Sequence, residues 1–410
     1  MSIEELAVDI DNFGSVVDQT FELKDLTFTL KERVNKGHAK GLLNVGFGFD
    51  EIRCSLWRLS AKWHDYKLIQ SYYRKEHKCR LKIYYLSVLN EQDMFLVISE
   101  EVIKTLDEEI KTMKKLGSGE TKLDDKDGFL YPLRSLFDSL TAVREICHDF
   151  TVTSSDLFFV KSEKITQSEK MFTKSEILII KVGFVQPYEL KKNEKLKCTK
   201  NVSRMVFNKW IGITNAELPK DLLLLRKVLD SFEPNNINQF KMLRMHPRFY
   251  MDASKEWLLD FAVKFQRIMS SKNLKSKDWI TVTNSLGLAF KKMQYSDIVG
   301  ENAKWYSEDI SNSIIRDCFN FVPSKPTPPS QEKADPPSQE KADPPSQLIA
   351  NNQLKFMIRT MRNLATHAIE HSDNLEFSQV CDAIEEFRPN CWAVLHYAAM
   401  VSIPERFVED

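Results

Sequence analysis

From Pro323 to Gln347 the chain turns to Pro, Ser, Gln and Lys. It carries PPSQEKAD at 328–335, the same eight residues at 336–343, and PPSQ at 344–347. Adjacent prolines lack backbone donors and break both helix and ladder, and the repeat has almost no apolar surface to bury. No sheet or helix can run through it. It is expected to be a disordered spacer inserted in the C-terminal part of the chain. A proline-rich ligand for a partner domain is the less favoured reading. Whatever folds must therefore be built from the segments on either side.

Those segments have ample core material. Hydrophobic residues make up 42% of the 410 residues, with 26 Phe, while Gly numbers only 12. Usual glycine content is about 7%, so folds that turn often on glycine, such as propellers and sandwiches, are disfavoured. Lys plus Arg and Asp plus Glu are 58 each, which removes a whole-chain electrostatic argument for nucleic acid and leaves local basic surfaces open. The seven cysteines, an odd number with no CxxC pair, predict a reducing compartment and no zinc cluster. The start, MSIEELAVDIDNFG, lacks a basic-then-apolar leader, and no run approaches ~18 apolar residues. The expectation is a cytoplasmic chain with no membrane span, in which the Asn201-Val-Ser203 sequon goes unused.

Residues 24–100 read as strands followed by one helix. Leu26–Leu30 and Ile52–Leu59 gather β-formers, and Lys62–Arg74 reads as a helix. Ile83–Leu89 and Met94–Ser99 read as a hairpin across Asn-Glu-Gln-Asp. Residues 130–147 carry Leu133, Leu136, Leu140, Val143 and Ile146 near helical spacing, and Leu157–Val160 and Ile177–Val182 are two further short apolar runs. This order predicts an α+β domain. After Pro247 the pattern is helical, with Trp257, Leu258, Phe261, Ala262, Phe265 and Ile268 on one stripe. Val380, Ala383, Ile384 and Phe387 form another, and Trp392, Leu395 and Met400 begin a last helix before Pro404.

Residues 351–371 form a two-faced helix. Leu354, Met357, Ile358, Met361, Leu364, Ala365 and Ala368 make the apolar side. Lys355, Arg359, Asn363, His367 and His371 run opposite at steps of four, with Arg362 beside them. Cations, an amide and imidazoles in one line could hold a phosphodiester and pass it a proton, although such a stripe alone is most often a solvated helix face.

The string Ile358-Arg359-Thr360-Met361-Arg362-Asn363-Leu364-Ala365-Thr366-His367 resembles the Arg-Asn-x-x-x-His signature of the kinase-extension nuclease (KEN) domain. That domain is found in the kinase–endoribonucleases of the unfolded protein response and in ribonuclease L. Met245-His246-Pro247-Arg248-Phe249-Tyr250, followed by Trp257-Leu258-Leu259-Asp260-Phe261, is similar to the family's kinase–nuclease junction. Phe387-Arg388-Pro389-Asn390-Cys391-Trp392, His396-Tyr397-Ala398-Ala399-Met400 and Pro404-Glu405-Arg406-Phe407 resemble its closing helix, and Lys304-Trp305 the pair before the nuclease core. The resemblance implies metal-free RNA cleavage to a 2′,3′-cyclic phosphate. His367 would be the general acid, and Arg362 and Asn363 would contact the phosphate. Arg359 and His371 lie outside the signature and are read as surface residues. The family also has a catalytic tyrosine thirteen residues before the arginine. The matching position here is Ile349, or Phe321 if the proline-rich segment is an insertion, and neither has a hydroxyl.

With that module placed, residues 26–249 resemble a degenerate, shortened protein-kinase-like domain. Val34-Asn35-Lys36-Gly37-His38-Ala39-Lys40-Gly41 looks like the Gly-rich loop with only Gly37 in place. Cys54-Ser55-Leu56-Trp57-Arg58-Leu59 resembles Val-Ala-Val-Lys-Arg-Leu, so Trp57 replaces the phosphate-binding lysine, and Gln70 replaces its glutamate partner. Gln92–Glu100 resembles the strand entering the hinge. Ile146-Cys147-His148-Asp149-Phe150 stands near the catalytic loop, with Asp156 two residues beyond the family spacing. Lys181-Val182-Gly183 replaces Asp-Phe-Gly. Phosphoryl transfer needs a lysine on the phosphates and carboxylates on magnesium. An active protein kinase is therefore excluded on this reading, and no cofactor is expected.

The sequence thus predicts three segments: 1–25 at the N-terminus, 26–249 kinase-like, and an all-α KEN-type domain over 250–410. The first expectation is a pseudokinase-linked endoribonuclease acting on RNA as a homodimer, or as a heterodimer with a related kinase–endoribonuclease. The alternative is a catalytically impaired interaction protein that pairs with such an active relative.

Overall fold

The computed structural model describes residues 18–23, 26–35, 37–46, 51–60, 67, 69, 70, 74, 78–89, 94–113, 123, 126–145, 150–168, 171–184, 186–187, 198–212, 218–231, 237–250, 256–270, 281, 282, 285, 379, 381, 382, 385, 386 and 390–408. The chain forms two compact units. One comprises Met1–Thr214 with Leu229–Arg244, the other Asn215–Val228 with Met245–Asp410. Residues 215–228, which fall inside the kinase-like segment in sequence, therefore belong to the second unit.

The first unit is built on a six-stranded antiparallel sheet. Its strands are β1 (Thr20–Leu23), β2 (Leu26–Asn35), β3 (His38–Asn44), β4 (Ile52–Ser60), β5 (Ile83–Leu89) and β6 (Met94–Glu100), in the order β1-β2-β3-β4-β6-β5. β6 is internal, and its Phe95–Ile98 run is buried on both faces, which is why it is continuously apolar rather than alternating. Side chains alternate across the sheet. Phe21, Phe28, Leu30, Cys54, Leu56 and Ile98 join one cluster with Leu96. Ser55, Trp57 and Ser99, at the intervening positions, are also buried.

One residue, Glu101, separates β6 from β7 (Val102–Thr105), which starts a second sheet ordered β10-β9-β7. Here β9 (Leu157–Ser168) and β10 (Met171–Val182) pair along their whole length. The sequence marks only the inner ends of this hairpin, at Leu157–Val160 and Ile177–Val182, where Leu157, Phe158, Phe159, Val160, Ile180 and Val182 are buried. The outer halves are polar and are held in strand form by the ladder itself. A two-stranded pair links β8 (Phe150–Thr151) to β11 (Gln186–Pro187).

α1 (Leu106–Met113) follows β7 directly, and α2 (Tyr131–Arg144) begins with Pro132 in its first turn, where a missing N–H costs nothing. Leu133, Leu136, Phe137, Leu140 and Val143 are fully buried along α2. Two hydroxyls on the same helix bind the edge of β10. Ser135 Oγ accepts the Ile180 N–H at 2.7 Å, and Ser139 Oγ donates to the Ile180 carbonyl at 3.0 Å and to the Cys79 carbonyl.

In the second unit the described elements from Met245 onward are helical. They are a 3₁₀ turn over Pro247–Tyr250, α3 (Glu256–Ser270), α4 (Cys391–Ser402) and α5 (Glu405–Val408). Phe261 and Phe265 of α3 pack on Phe407 with ring centroids 4.8 and 5.8 Å apart, and Lys264 Nζ donates to the Phe407 carbonyl at 3.3 Å. Among the described residues no helix is long and apolar enough to cross a membrane.

Candidate functional site

Two places gather side chains that the sequence singles out. The first lies where β3 and β4 of the large sheet face the β9–β10 hairpin. β2 and β3 are joined by residues 36–37 alone, with Gly37 at φ +82° and its carbonyl accepting the Arg58 N–H at 2.8 Å. A Cβ at Gly37 would lie 3.2 Å from the Arg58 carbonyl oxygen, so glycine suits the turn on both counts.

The same turn sets His38 directly opposite Trp57 in the ladder. Their rings stack 3.7 Å apart and 4° from parallel. The Trp57 indole N–H donates to Ser99 Oγ at 3.0 Å, and its ring meets Phe158 at 5.1 Å and Phe184 at 5.5 Å. Trp57 is 8% exposed. Burial, and then the charge of Lys40, lower the His38 pKa to about 3, so its imidazole is neutral at pH 7. Trp57 is therefore a buried, hydrogen-bonded core residue.

Lys181 sits on β10 beside this cluster. Its ammonium reaches both oxygens of Glu100, at 2.8 and 2.9 Å, and the two side chains are 12% and 17% exposed. Asp156 ends a short 3₁₀ turn, where its carboxylate accepts the Thr153 N–H at 2.8 Å and the Thr153 hydroxyl at 2.7 Å. Burial raises its pKa to about 6 against the lowering effect of those two bonds. This arrangement is a capping box, which leaves Asp156 committed to its own turn. Gln70 is helical and half-buried.

The second place lies within the C-terminal unit. Arg248 Nη1 contacts both carboxylate oxygens of Asp221, at 2.8 and 2.7 Å. The pair borders a cavity of about 280 Å³ that Asp382, Glu385, Asn390 and Trp392 also line. The Glu385 carboxylate accepts the Asn390 N–H and, at 3.7 Å, the Cys391 S–H, fastening the start of α4. Burial pushes the Glu385 pKa up. His246 lies 5.4 Å from His396 and 5.8 Å from Phe249, ring centre to ring centre. Burial, then the charge of Arg248, lower its pKa to about 3. The cluster is a packing core that joins the Met245–Tyr250 segment to the closing helix, two stretches far apart in the chain.

Arg362, Asn363 and His367 lie outside the described residues, as do Ile349, Phe321, Lys304, Trp305 and the proline-rich segment. Among the described residues no group of three or more His, Cys, Asp or Glu could hold a metal ion. Sequence reasoning missed the partners of Trp57 and Lys181. His38 was legible only as the residue after a turn glycine, Phe158 and Phe184 only as apolar positions, and Glu100 only as a strand end. Each becomes a partner through a pairing distant in the chain.

No family model matches the sequence, and no curated protein matches it. Solved structures to which the chain is similar are protein kinase domains. Two are variants of the Mycobacterium tuberculosis PknI kinase domain, at 11% and 13% identity and a TM-score of 0.31, each match covering 57% of this chain and 90% of that one. A third kinase domain is 11% identical, with a TM-score of 0.27, over 75% of this chain and 85% of its own.

Proposed function

We propose that this chain is a pseudokinase-linked, metal-independent endoribonuclease. Its N-terminal unit is a kinase-like scaffold without phosphoryl-transfer chemistry, and its C-terminal unit carries the RNA-cleaving helix. The observation that carries the first half is the Trp57 indole. It occupies the strand position matched to the phosphate-binding lysine, buried against His38, Phe158 and Phe184 and bonded to Ser99. Lys181, in place of a magnesium carboxylate, is neutralised by Glu100. Phosphoryl transfer has neither of the groups it needs there.

The ribonuclease half rests on the Arg362-Asn363-x-x-x-His367 signature and on the order of the motifs that flank it. In the reaction, the ribose 2′-hydroxyl gives its proton to water as its oxygen bonds to the adjacent phosphorus, the P–O5′ bond breaks, and His367 gives its proton to the leaving 5′-oxygen. The products are a 2′,3′-cyclic phosphate and a 5′-hydroxyl. Arg362 and Asn363 stabilise the charge that builds on the phosphoryl oxygens. The partners are RNA and a second copy, or a related kinase–endoribonuclease.

The test is cleavage of a stem-loop RNA by the purified full chain in chelator, against His367→Ala. Chelator-resistant cleavage that the variant loses supports this reading, and its absence at high protein concentration rejects it. A second reading, an interaction protein without catalysis, is favoured by the missing tyrosine, which Phe321 or Ile349 replaces. It expects no cleavage, and it expects altered activity of a related endoribonuclease on mixing.

A further inference from the structure

The two sheets of the N-terminal unit are joined by the single residue Glu101, between β6 and β7. A one-residue joint is free to hinge unless side chains cross it, and here they cross it at three places. Nearest the joint, the Val102 N–H donates to Ser55 Oγ of β4 at 3.0 Å. Beside it, Glu100 of β6 holds Lys181 of β10, and its Oε1 also accepts the Lys82 N–H at 2.7 Å. Farther out, Trp57 of β4 is wedged between His38 on its own sheet, Phe158 of β9 on the other, and Phe184 two residues past the end of β10. The two phenylalanine rings lie 5.5 Å from each other.

The wedge is close-fitting on the far side as well. A Cβ at Gly183 would come within 2.9 Å of the Phe158 ring and 3.0 Å of Leu81, so glycine is what lets the hairpin approach. His38 Nε2 is buried without a hydrogen-bond partner. That cost is accepted where the stack on Trp57 is kept.

We infer that His38, Trp57, Phe158, Phe184 and the Glu100–Lys181 pair act as a bolt across the Glu101 joint, holding the two sheets in one arrangement that needs no nucleotide. In a nucleotide-gated domain, ATP with magnesium bridges the two sides and its loss lets them part. Here the protein's own side chains bridge them permanently. The unit is thus a constitutive scaffold, and any control of the chain enters by association or through the other unit. This rests on the pseudokinase reading of the same region.

Amide hydrogen exchange of the full chain tests it, with and without millimolar magnesium and ATP. In the wild type, exchange over 100–105 and 157–160 is expected to be the same in both conditions. Trp57→Ala is expected to speed exchange in both segments by about tenfold or more while α2 stays protected. Lys181→Met, which keeps the aromatic wedge, is expected to do so by a smaller factor and decides the matter if Trp57→Ala does not fold. Unchanged exchange in the folded variants overturns the bolt and leaves the pseudokinase reading standing. A wild type that transfers phosphoryl groups from magnesium ATP overturns the pseudokinase reading. If the two segments also slow more than about threefold, the bolt falls with it.

Discussion

Arg248 and Asp221 form a nearly buried ion pair, with one guanidinium nitrogen 2.8 and 2.7 Å from the two carboxylate oxygens and the side chains 8% and 14% exposed. The pair ties the His-Pro-Arg-Phe segment to the helix that starts at Lys220, within one unit. Removing one partner leaves the other charge nearly buried without this ion pair. Arg248→Ala is expected to cost about 3 kcal/mol in urea unfolding, and Arg248→Ala with Asp221→Ala together less than the sum of the two single changes. Additive losses would show that the pair is not coupled.

Ser99 takes the Trp57 indole N–H in a site closed to water. Ser99→Ala strands that donor and is expected to cost about 1–3 kcal/mol. Ser99→Thr, which keeps a hydroxyl, is expected to cost less. Equal losses in the two variants would assign the effect to packing instead of the hydrogen bond.

Two buried imidazoles, His38 and His246, have folded pKa values of about 3 against 6.5 when free. The unfolded chain therefore binds more protons than the folded one between pH 3 and 6.5. The sign follows: this contribution to stability is complete above about pH 6.5 and is lost as the pH falls through that window. Asp156, raised to about 6, acts oppositely, stabilising below its unfolded value near 3.8 and losing that contribution as the pH rises through 6. The two imidazoles carry larger shifts than the raised carboxyls of Asp156 and Glu385 that oppose them, so the melting temperature is expected to fall from pH 7 to pH 5. His38→Phe is expected to make that fall shallower. An unchanged slope in the variant would remove His38 as a cause.

On the ribonuclease reading with the proline-rich segment as an insertion, Phe321 stands where the family has a tyrosine whose hydroxyl helps move protons; by direct counting the position is Ile349. Phe321→Tyr is expected to raise the chelator-resistant cleavage rate by about 10²-fold or more, the usual weight of an acid–base group. His367→Ala in the Phe321→Tyr background is expected to abolish the gain. A gain that survives the loss of His367 would point to a different cleaving group.

Much of the fold is legible one segment at a time. The hairpin at Ile83–Leu89 and Met94–Ser99 appears within a residue of its sequence limits, because apolar runs flank a polar turn. α2 spans Tyr131–Arg144 against an expected 130–147, because its leucines repeat at helical spacing. β1 and β3 went unread. β1 is only four residues long, and β3 is interrupted by Gly41 within a stretch that resembles a glycine loop.

What the sequence determined by itself was chemical identity at each position: an indole at 57, an ammonium at 181, and the string Arg362-Asn363-x-x-x-His367. Only the tertiary structure decided what those groups touch. His38 and Trp57 meet because two strands pair in one register, and Lys181 meets Glu100 across 81 positions of chain. Local propensity acts over a turn or two, whereas stacking and ion pairing depend on register and packing that the whole unit sets together.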